Sequence, residues 1–163
     1  MKDHVHKSGE KRHWRILNEL PQDVLEAWCK PEKAINPVAI VATVDSDGYP
    51  RTAPFGSFRV VTPRLLRLIS FRHHDTYKNL SRDGRVMVAL VSPPDIAVSI
   101  RGHARIVREK MHTDERYAVV DIDVEEVKND MVRTVAIESA ITISAWEEFR
   151  EWFNASLSEV EEM

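Results

Sequence analysis

Val38-Ala39-Ile40-Val41-Ala42-Thr43-Val44, followed at once by Asp45-Ser46-Asp47-Gly48, is the stretch on which the fold turns. β-Branched and small apolar residues occupy both alternating faces, as in a strand covered on both sides. The Asp/Ser/Gly tetrapeptide then supplies a hairpin turn. A second strand is expected from Arg51 to Val61, and Pro54 and Gly56 within it predict a bend, a bulge or an edge position. Thr62-Pro63-Arg64 reverses the chain into a third strand, Leu65 to Phe71. A short helix follows at Asp75 to Arg82, with Asp83-Gly84 where a helix stop belongs.

Further along, Arg85 to Val91 reads as a fourth strand, Pro93-Pro94-Asp95 as a break, and Ile96 to Arg108 as a long fifth strand bent at Gly102. A helix is expected from Thr113 to Val120, and Asp121 to Asn129 fits neither period. Arg133 to Ser144 alternates, with Val135, Ile137, Ile141 and Ile143 on one face and Thr134, Glu138 and Thr142 on the other, which predicts the sixth strand. Upstream, Ile16, Leu17, Leu20, Val24, Leu25 and Trp28 predict a helix at 21–30, preceded by a shorter one. Trp146, Phe149, Trp152, Phe153 and Leu157 fall near helical spacing and predict a last helix docked on the core. The polar segment 1–12 is expected to be disordered, leaving 13–163 as a single domain. Six strands with hairpin-like links, only 5 glycines and no βαβ rhythm argue against a doubly wound nucleotide fold and for a closed or half-closed barrel.

A chain of 163 residues suits one domain. Its 23 basic against 26 acidic residues, a formal charge of −3, give no drive toward nucleic acid or an anionic membrane. No stretch approaches the roughly 20 apolar residues of a membrane span, and the start of the chain is polar where a signal peptide needs an apolar run, so a cytoplasmic location is expected. Cys29 is the single cysteine, cannot form an internal disulfide, and reads as a small buried hydrophobe. Arg101, His103 and Arg105 share a strand face, either as a basic patch or as the wet side of a sheet. His4-Val5-His6 and His73-His74-Asp75 lack a second cluster at zinc-like spacing, so no metal is expected. With no Gly-rich phosphate loop, G-x-S-x-G elbow or H-E-x-x-H helix, no catalytic residue is assigned.

The chemistry points to Ser70-Phe71-Arg72-His73-His74-Asp75-Thr76-Tyr77-Lys78-Asn79-Leu80, which runs from a strand end into a helix start. Unpaired N–H groups and the helix dipole favour an anion there. Arg72, Thr76 and Lys78 add a bidentate donor, a hydroxyl and a point charge, a set suited to phosphate.

The ordered series Val38-to-Val44, Asp47-Gly48-Tyr49-Pro50-Arg51, Leu68-to-Phe71, Thr76-Tyr77-Lys78-Asn79-Leu80 and Gly84-Arg85-Val86 resembles the pyridoxamine 5′-phosphate oxidase-like, FMN-binding split-barrel superfamily over about residues 35–110. The resemblance implies a mainly β (α+β) fold, a six-stranded antiparallel split β-barrel of Greek-key type with flanking helices. It implies FMN as cofactor, with Arg51, Thr52, Ala53 and Pro54 along the isoalloxazine and ribityl chain, Ser70, Phe71 and Arg72 lining the flavin, and Thr76, Tyr77 and Lys78 holding the phosphate. It also implies a homodimer with the flavin at its interface, where Ala97, Val98 or Trp146 of the second subunit would reach it. Tyr77 stands where the family's basic residue precedes the lysine, which weakens the implied phosphate clamp unless Arg72 replaces it. The R-x-x-R-like C-terminal segment that grips the family substrate's phosphate has no counterpart in the Glu-rich tail, so that reaction is not expected. The resemblance leaves an FMN-dependent oxidoreductase acting on a small electron donor or acceptor. Its rivals are a non-catalytic flavin-binding electron carrier or stress-related module, or the same barrel holding deazaflavin or haem.

Overall fold

A computed structural model describes residues 14–163; the expectations placed on segment 1–12 and on His4 and His6 lie outside them. Eight strands and three α-helices follow in order: β1 (Ile16–Leu17), α1 (Gln22–Trp28), β2 (Ala39–Val44), β3 (Pro50–Phe55), β4 (Arg59–Thr62), β5 (Leu65–Phe71), α2 (Asp75–Arg82), β6 (Arg85–Ser92), β7 (Ile96–Arg108), β8 (Tyr117–Asn129) and α3 (Arg150–Glu161), with a 3₁₀ turn, Glu147–Phe149, leading into α3. The strand order is β3-β2-β6-β7-β8-β5-β4, every pairing is antiparallel, and β1 adds to the far end of β8. The end strands β3 and β4 do not pair with each other, so the sheet curls without closing. This is the split-barrel α+β architecture, with eight strands where six are expected.

The expected strand over 51–61 is two strands at opposite edges of the sheet. Gly56, Ser57 and Phe58, all buried, carry the chain from β3 to β4. β2 and β3 meet through the expected turn, in which Gly48 takes φ +87° and its N–H donates to Asp45 O at 2.9 Å. Inside the curl, Trp28, Val41, Phe58, Leu66, Leu68, Leu90, Ile100 and Ile122 form the main core, with Trp28 and Phe58 edge to face at 5.9 Å. Trp28 Nε1 donates to Ser92 Oγ at 3.0 Å, satisfying its polar end.

Two sequence expectations fail here. The segment 113–120 is a loop followed by the start of β8, and β8 extends through the ambiguous stretch 121–129. Ala118 to Ile122 are all buried because β5 and β7 flank the strand and both its faces are covered, so no alternation marks it. Segment 133–144, whose alternation is clear, forms no strand. Val135, Ile141 and Ile143 stay exposed. This segment crosses the barrel as an arm, held by Ile137 N–H to Pro94 O, Val38 N–H to Ile141 O, and a two-way bond between the Asn36 amide and the Ile143 backbone. The short helix expected before α1 is the two-residue β1, and Cys29, at the C-terminal cap of α1, is exposed rather than buried.

α3 docks through Leu157 and Val160 onto Ile69, Met111 and Val119. Trp152 joins a surface ladder of rings, Phe71–Tyr117–Trp152–Phe153, with centroids 5.1, 4.7 and 4.9 Å apart. Trp146 and Phe149 do not dock; they are 79% and 48% exposed. Glu159 fastens the helix by accepting from His112 N–H (2.7 Å), Thr113 N–H (2.8 Å), Thr113 Oγ1 (2.6 Å) and Arg108 Nη1 (2.9 Å). Burial alone would push the Glu159 carboxyl up, but these donors together outweigh it and hold the group at about 2.

Two stability predictions follow from this packing. Between Arg101 and Gly102 the register of β7 on β8 shifts by one residue, and a Cβ on Gly102 would lie 2.6 Å from Asp123 O. Gly102→Ala is therefore expected to lower the urea-unfolding free energy by about 1–3 kcal/mol. Glu159 has a folded value below its unfolded one, so its contribution is complete above about 4.5 and lost as pH falls toward 2. Glu159→Gln should cost about 1–3 kcal/mol at neutral pH, a difference from wild type that closes in denaturation curves taken toward pH 2.

Candidate functional site

α2 lies across the end of the barrel where β2 turns into β3 and where β5 leaves the sheet, and its central residue Asn79 ties these parts together. The Asn79 amide donates to Thr43 Oγ1 at 3.0 Å and to Asp45 Oδ1 at 2.8 Å, while its own oxygen accepts from Arg82 Nη2 at 3.0 Å. Asp45 in turn takes Arg51 at 2.6 Å. The bond from Asn79, helped by Arg51 and Arg82 and opposed by desolvation, holds the Asp45 carboxyl below the usual carboxylate range. Arg51 is raised above its ordinary value, chiefly by its bond to Asp45 and with a smaller contribution from Asp75 in the first turn of α2. The start of β3 and the start of α2 are thus within electrostatic reach of each other.

His74 caps α2. Its Nδ1 accepts from Thr76 N–H at 3.2 Å and lies 3.1 Å from Thr76 Oγ1, which makes this histidine the helix cap. Among the described residues no cluster of three potential ligands could hold a metal ion. Thr76 is buried under the cap. Lys78 is exposed, and its ammonium makes no hydrogen bond or ion pair among the described residues, one turn from the helix start.

The other expected site residues divide by face. Directly opposite residues of an antiparallel pair share a side, so Thr52 and Pro54 face outward with Ala42 and Ile40, whereas Arg51 and Ala53 lie on the side of the inward-facing Thr43 and Val41. Ser70 points into the barrel, 1% exposed, with its hydroxyl unpartnered. Phe71 faces out and meets the His73 ring at 5.3 Å. Arg72 is engaged by the protein: Nη1 donates to Glu115 O at 3.3 Å, Nη2 lies 3.6 Å from Glu109, and the guanidinium sits 6.0 Å from the Tyr77 ring centre in the first turn of α2. Of the second-subunit candidates, Ala97 is half-buried opposite Val91, Val98 is in the core, and Trp146 is exposed on the arm.

Arg101, His103 and Arg105 do share a face, but not as a free basic patch. Arg101 pairs with Glu126 at 3.0 Å, Arg105 with Asp123 at 2.9 Å, and the His103 ring covers Gly84. Asp45, His74 and Asn79 are the organising residues that sequence reasoning did not assign; Asn79 stood in the quoted motif without a role.

These residues suit a flavin phosphate. They offer an unengaged cation in Lys78, the Tyr77 N–H of a helix first turn, and an outward strip of small and flat side chains on β3. Arg51 and Arg72 already have protein partners. The sequence profile of the pyridoxamine 5′-phosphate oxidase family matches residues 29–143, more than half of the chain. The chain belongs to the pyridoxamine 5′-phosphate oxidase-like superfamily. The matched span contains the β2–β3 turn, β5 and α2, and leaves out Trp146.

Solved structures of the same fold include a candidate pyridoxamine 5′-phosphate oxidase of Lactobacillus delbrueckii (24% identity, covering 70% of this chain and 98% of that one, TM-score 0.55). Another is a candidate oxidase of Listeria innocua (17% identity, 68% and 94% covered, TM-score 0.51). A third is HupZ of Group A Streptococcus (22% identity, 64% and 91% covered, TM-score 0.50). At these identities the likeness concerns the fold. No curated protein sequence matches the chain.

The Asn79 bridge is testable without a ligand. Asn79→Ala is expected to lower stability by about 1–3 kcal/mol, because buried partners lose their donor. It should also move the Asp45 carboxyl titration, followed by NMR, upward toward the ordinary aspartate range.

Proposed function

We propose that this protein binds FMN and acts as an FMN-dependent oxidoreductase on a small electron donor or acceptor, as a cytoplasmic homodimer. The observation that carries the reading is Lys78: a solvent-facing ammonium with no described partner, at a capped helix start that Asn79 and Asp45 fasten to the β2–β3 turn. An exposed cation beside first-turn N–H groups favours a phosphate monoester. Lys78 and the first turn of α2 would hold the phosphate, Arg51 would lie nearby with Asp45 as its fixed counter-charge, and Thr52 and Pro54 would support the flat ring system from β3. When bound, FMN supplies hydride or single-electron transfer. The chain's own residues bind and orient it and limit the access of water.

Exposed apolar residues support self-association. Val135, Ile141 and Ile143 on the arm, Trp146 and Phe149 just beyond it, and Met87 and Val91 on the outward face of β6 leave apolar surface facing solvent in the single chain. No helix among the described residues is long and apolar enough to cross a membrane.

The purified protein is expected to show flavin absorbance near ~370 and ~450 nm after addition of FMN. Lys78→Ala should weaken FMN binding in a titration by roughly ten- to a hundredfold, the equivalent of one charge-assisted hydrogen bond. A protein that stays colourless with FMN would overturn the reading. Bound flavin that neither NADH nor NADPH reduces in the presence of an acceptor would leave the binding site and remove the oxidoreductase activity.

A further inference from the structure

Lys30 lies outside the candidate cofactor site, just past the end of α1, and its half-buried side chain turns inward. Three backbone carbonyls converge on its ammonium: Gly56 O at 2.8 Å, Pro37 O at 3.1 Å and Ile35 O at 3.4 Å. Gly56 belongs to the buried crossing from β3 to β4, and Ile35 and Pro37 to the loop that enters β2. An ammonium carries three N–H donors and no acceptor, so each donor finds an oxygen here. Buried carbonyls need such partners, and a ring of carbonyl oxygens is also what replaces the water shell of a monovalent cation. The charged groups facing the ammonium are Arg59 from β4, which repels it, and Glu161 from α3, which attracts it. Glu161 is itself engaged by Arg59 Nε at 3.0 Å and by Lys33 N–H at 2.9 Å.

Two of the three carbonyls flank Asn36, and Asn36 is the residue that grips the arm. Its side-chain amide donates to Ile143 O and accepts from Ile143 N–H, each at 2.8 Å. Two residues on, Val38 N–H donates to Ile141 O at 2.9 Å. The packing runs through the same place: a Cβ on Gly56 would meet Ile143 Cδ1 at 2.9 Å and Ile35 O at 3.1 Å. Arm, loop and crossing therefore touch at Gly56 with no room for a side chain. The bond from Ile137 N–H to Pro94 O, at 2.8 Å, fastens the arm to a different loop, the one between β6 and β7.

We propose that the carbonyls of Ile35, Pro37 and Gly56 form a monovalent-cation cage that the chain fills with its own Lys30 ammonium, and that this tethered cation is the fastening by which the Ile141–Ile143 end of the arm is strapped to the barrel. Removing the ammonium leaves the three carbonyls without their charged donor and frees the backbone on both sides of Asn36. Residues 35–37 and Ile141–Ile143 then open together while the sheet stays closed.

The test is amide hydrogen exchange of Val38 and Ile143 on the full chain without added cofactor. It is run at a pH below the value of about 7 to which burial, then Arg59, lower the ammonium, so that the native Lys30 is charged. In Lys30→Ala the opening constant at both amides should rise by about ten- to a hundredfold, the loss expected for hydrogen bonds from a charged donor. Ile137, and Val88 and Ile100 opposite each other in β6 and β7, should keep their wild-type exchange. Propylammonium, which restores the missing stem and charge, should lower the opening constant again at equal ionic strength, and neutral propanol should not. Lys30→Met keeps an apolar stem without the charge; it should loosen the same two amides and resist rescue, and it carries the test if Lys30→Ala does not fold. Exchange at Val38 and Ile143 that is unchanged in these variants, a rise shared equally by Val88 and Ile100, or a rescue that propanol matches would overturn the proposal. None of these readouts depends on flavin binding.

Discussion

The double-sided burial of β8 is the constraint on which the rest of the molecule depends. β8 pairs with β7 along one edge and with β5 along the other, and one of its faces meets the main core while the opposite face receives α3. Over Ala118–Ile122 the strand has no solvent side on which to place a charge, yet Asp121 stands there, 3% exposed. Arg67 of β5 resolves the conflict with a bidentate pair at 2.6 and 3.0 Å, and its third nitrogen reaches the carbonyl of Val160 in α3. Removing one member of such a pair typically costs about 3–5 kcal/mol, because the other charge is left buried alone. The pair also fixes which strands can flank β8 and where the last helix must end.

The placement of β8 sets the position of the candidate site. With β8 between β7 and β5, the end of β5 emerges beside the β2–β3 turn although the two are far from neighbours in the strand order. The gap between them is bridged by α2. Asn79, Asp45 and Thr43 close that bridge with neutral and charged hydrogen bonds, and the result is a fixed helix start on which the exposed Lys78 ammonium has no partner among the described residues. Lys78 and the outward β3 residues therefore owe their relationship to a polar contact between elements, not to either motif by itself.

The arm shows the reverse case. Its residues have the alternation of a strand, but they cross the barrel through a few backbone bonds and leave Val135, Ile141 and Ile143 exposed. Alternation reports that a segment can pair, not that it does.

The sequence by itself determined the local elements whose signals are covalent or short-range: the β2 strand and its Gly48 turn, the β5-to-α2 passage, the full span of β7, and a motif order specific enough to name the superfamily. It also placed Lys78 and Thr76 on one helix start. Only the tertiary structure decided that Arg72 turns toward Glu109 and Glu115, that Ser70 faces inward, that Arg51 and Arg59–Thr62 lie on strands at opposite edges of the sheet, and that Asp121 is the central buried charge. Each of these depends on which partner a side chain meets across space. Hydrogen-bond partners, buried counter-charges and free sheet edges are properties of pairs distant in sequence, and periodicity along one segment carries no record of them.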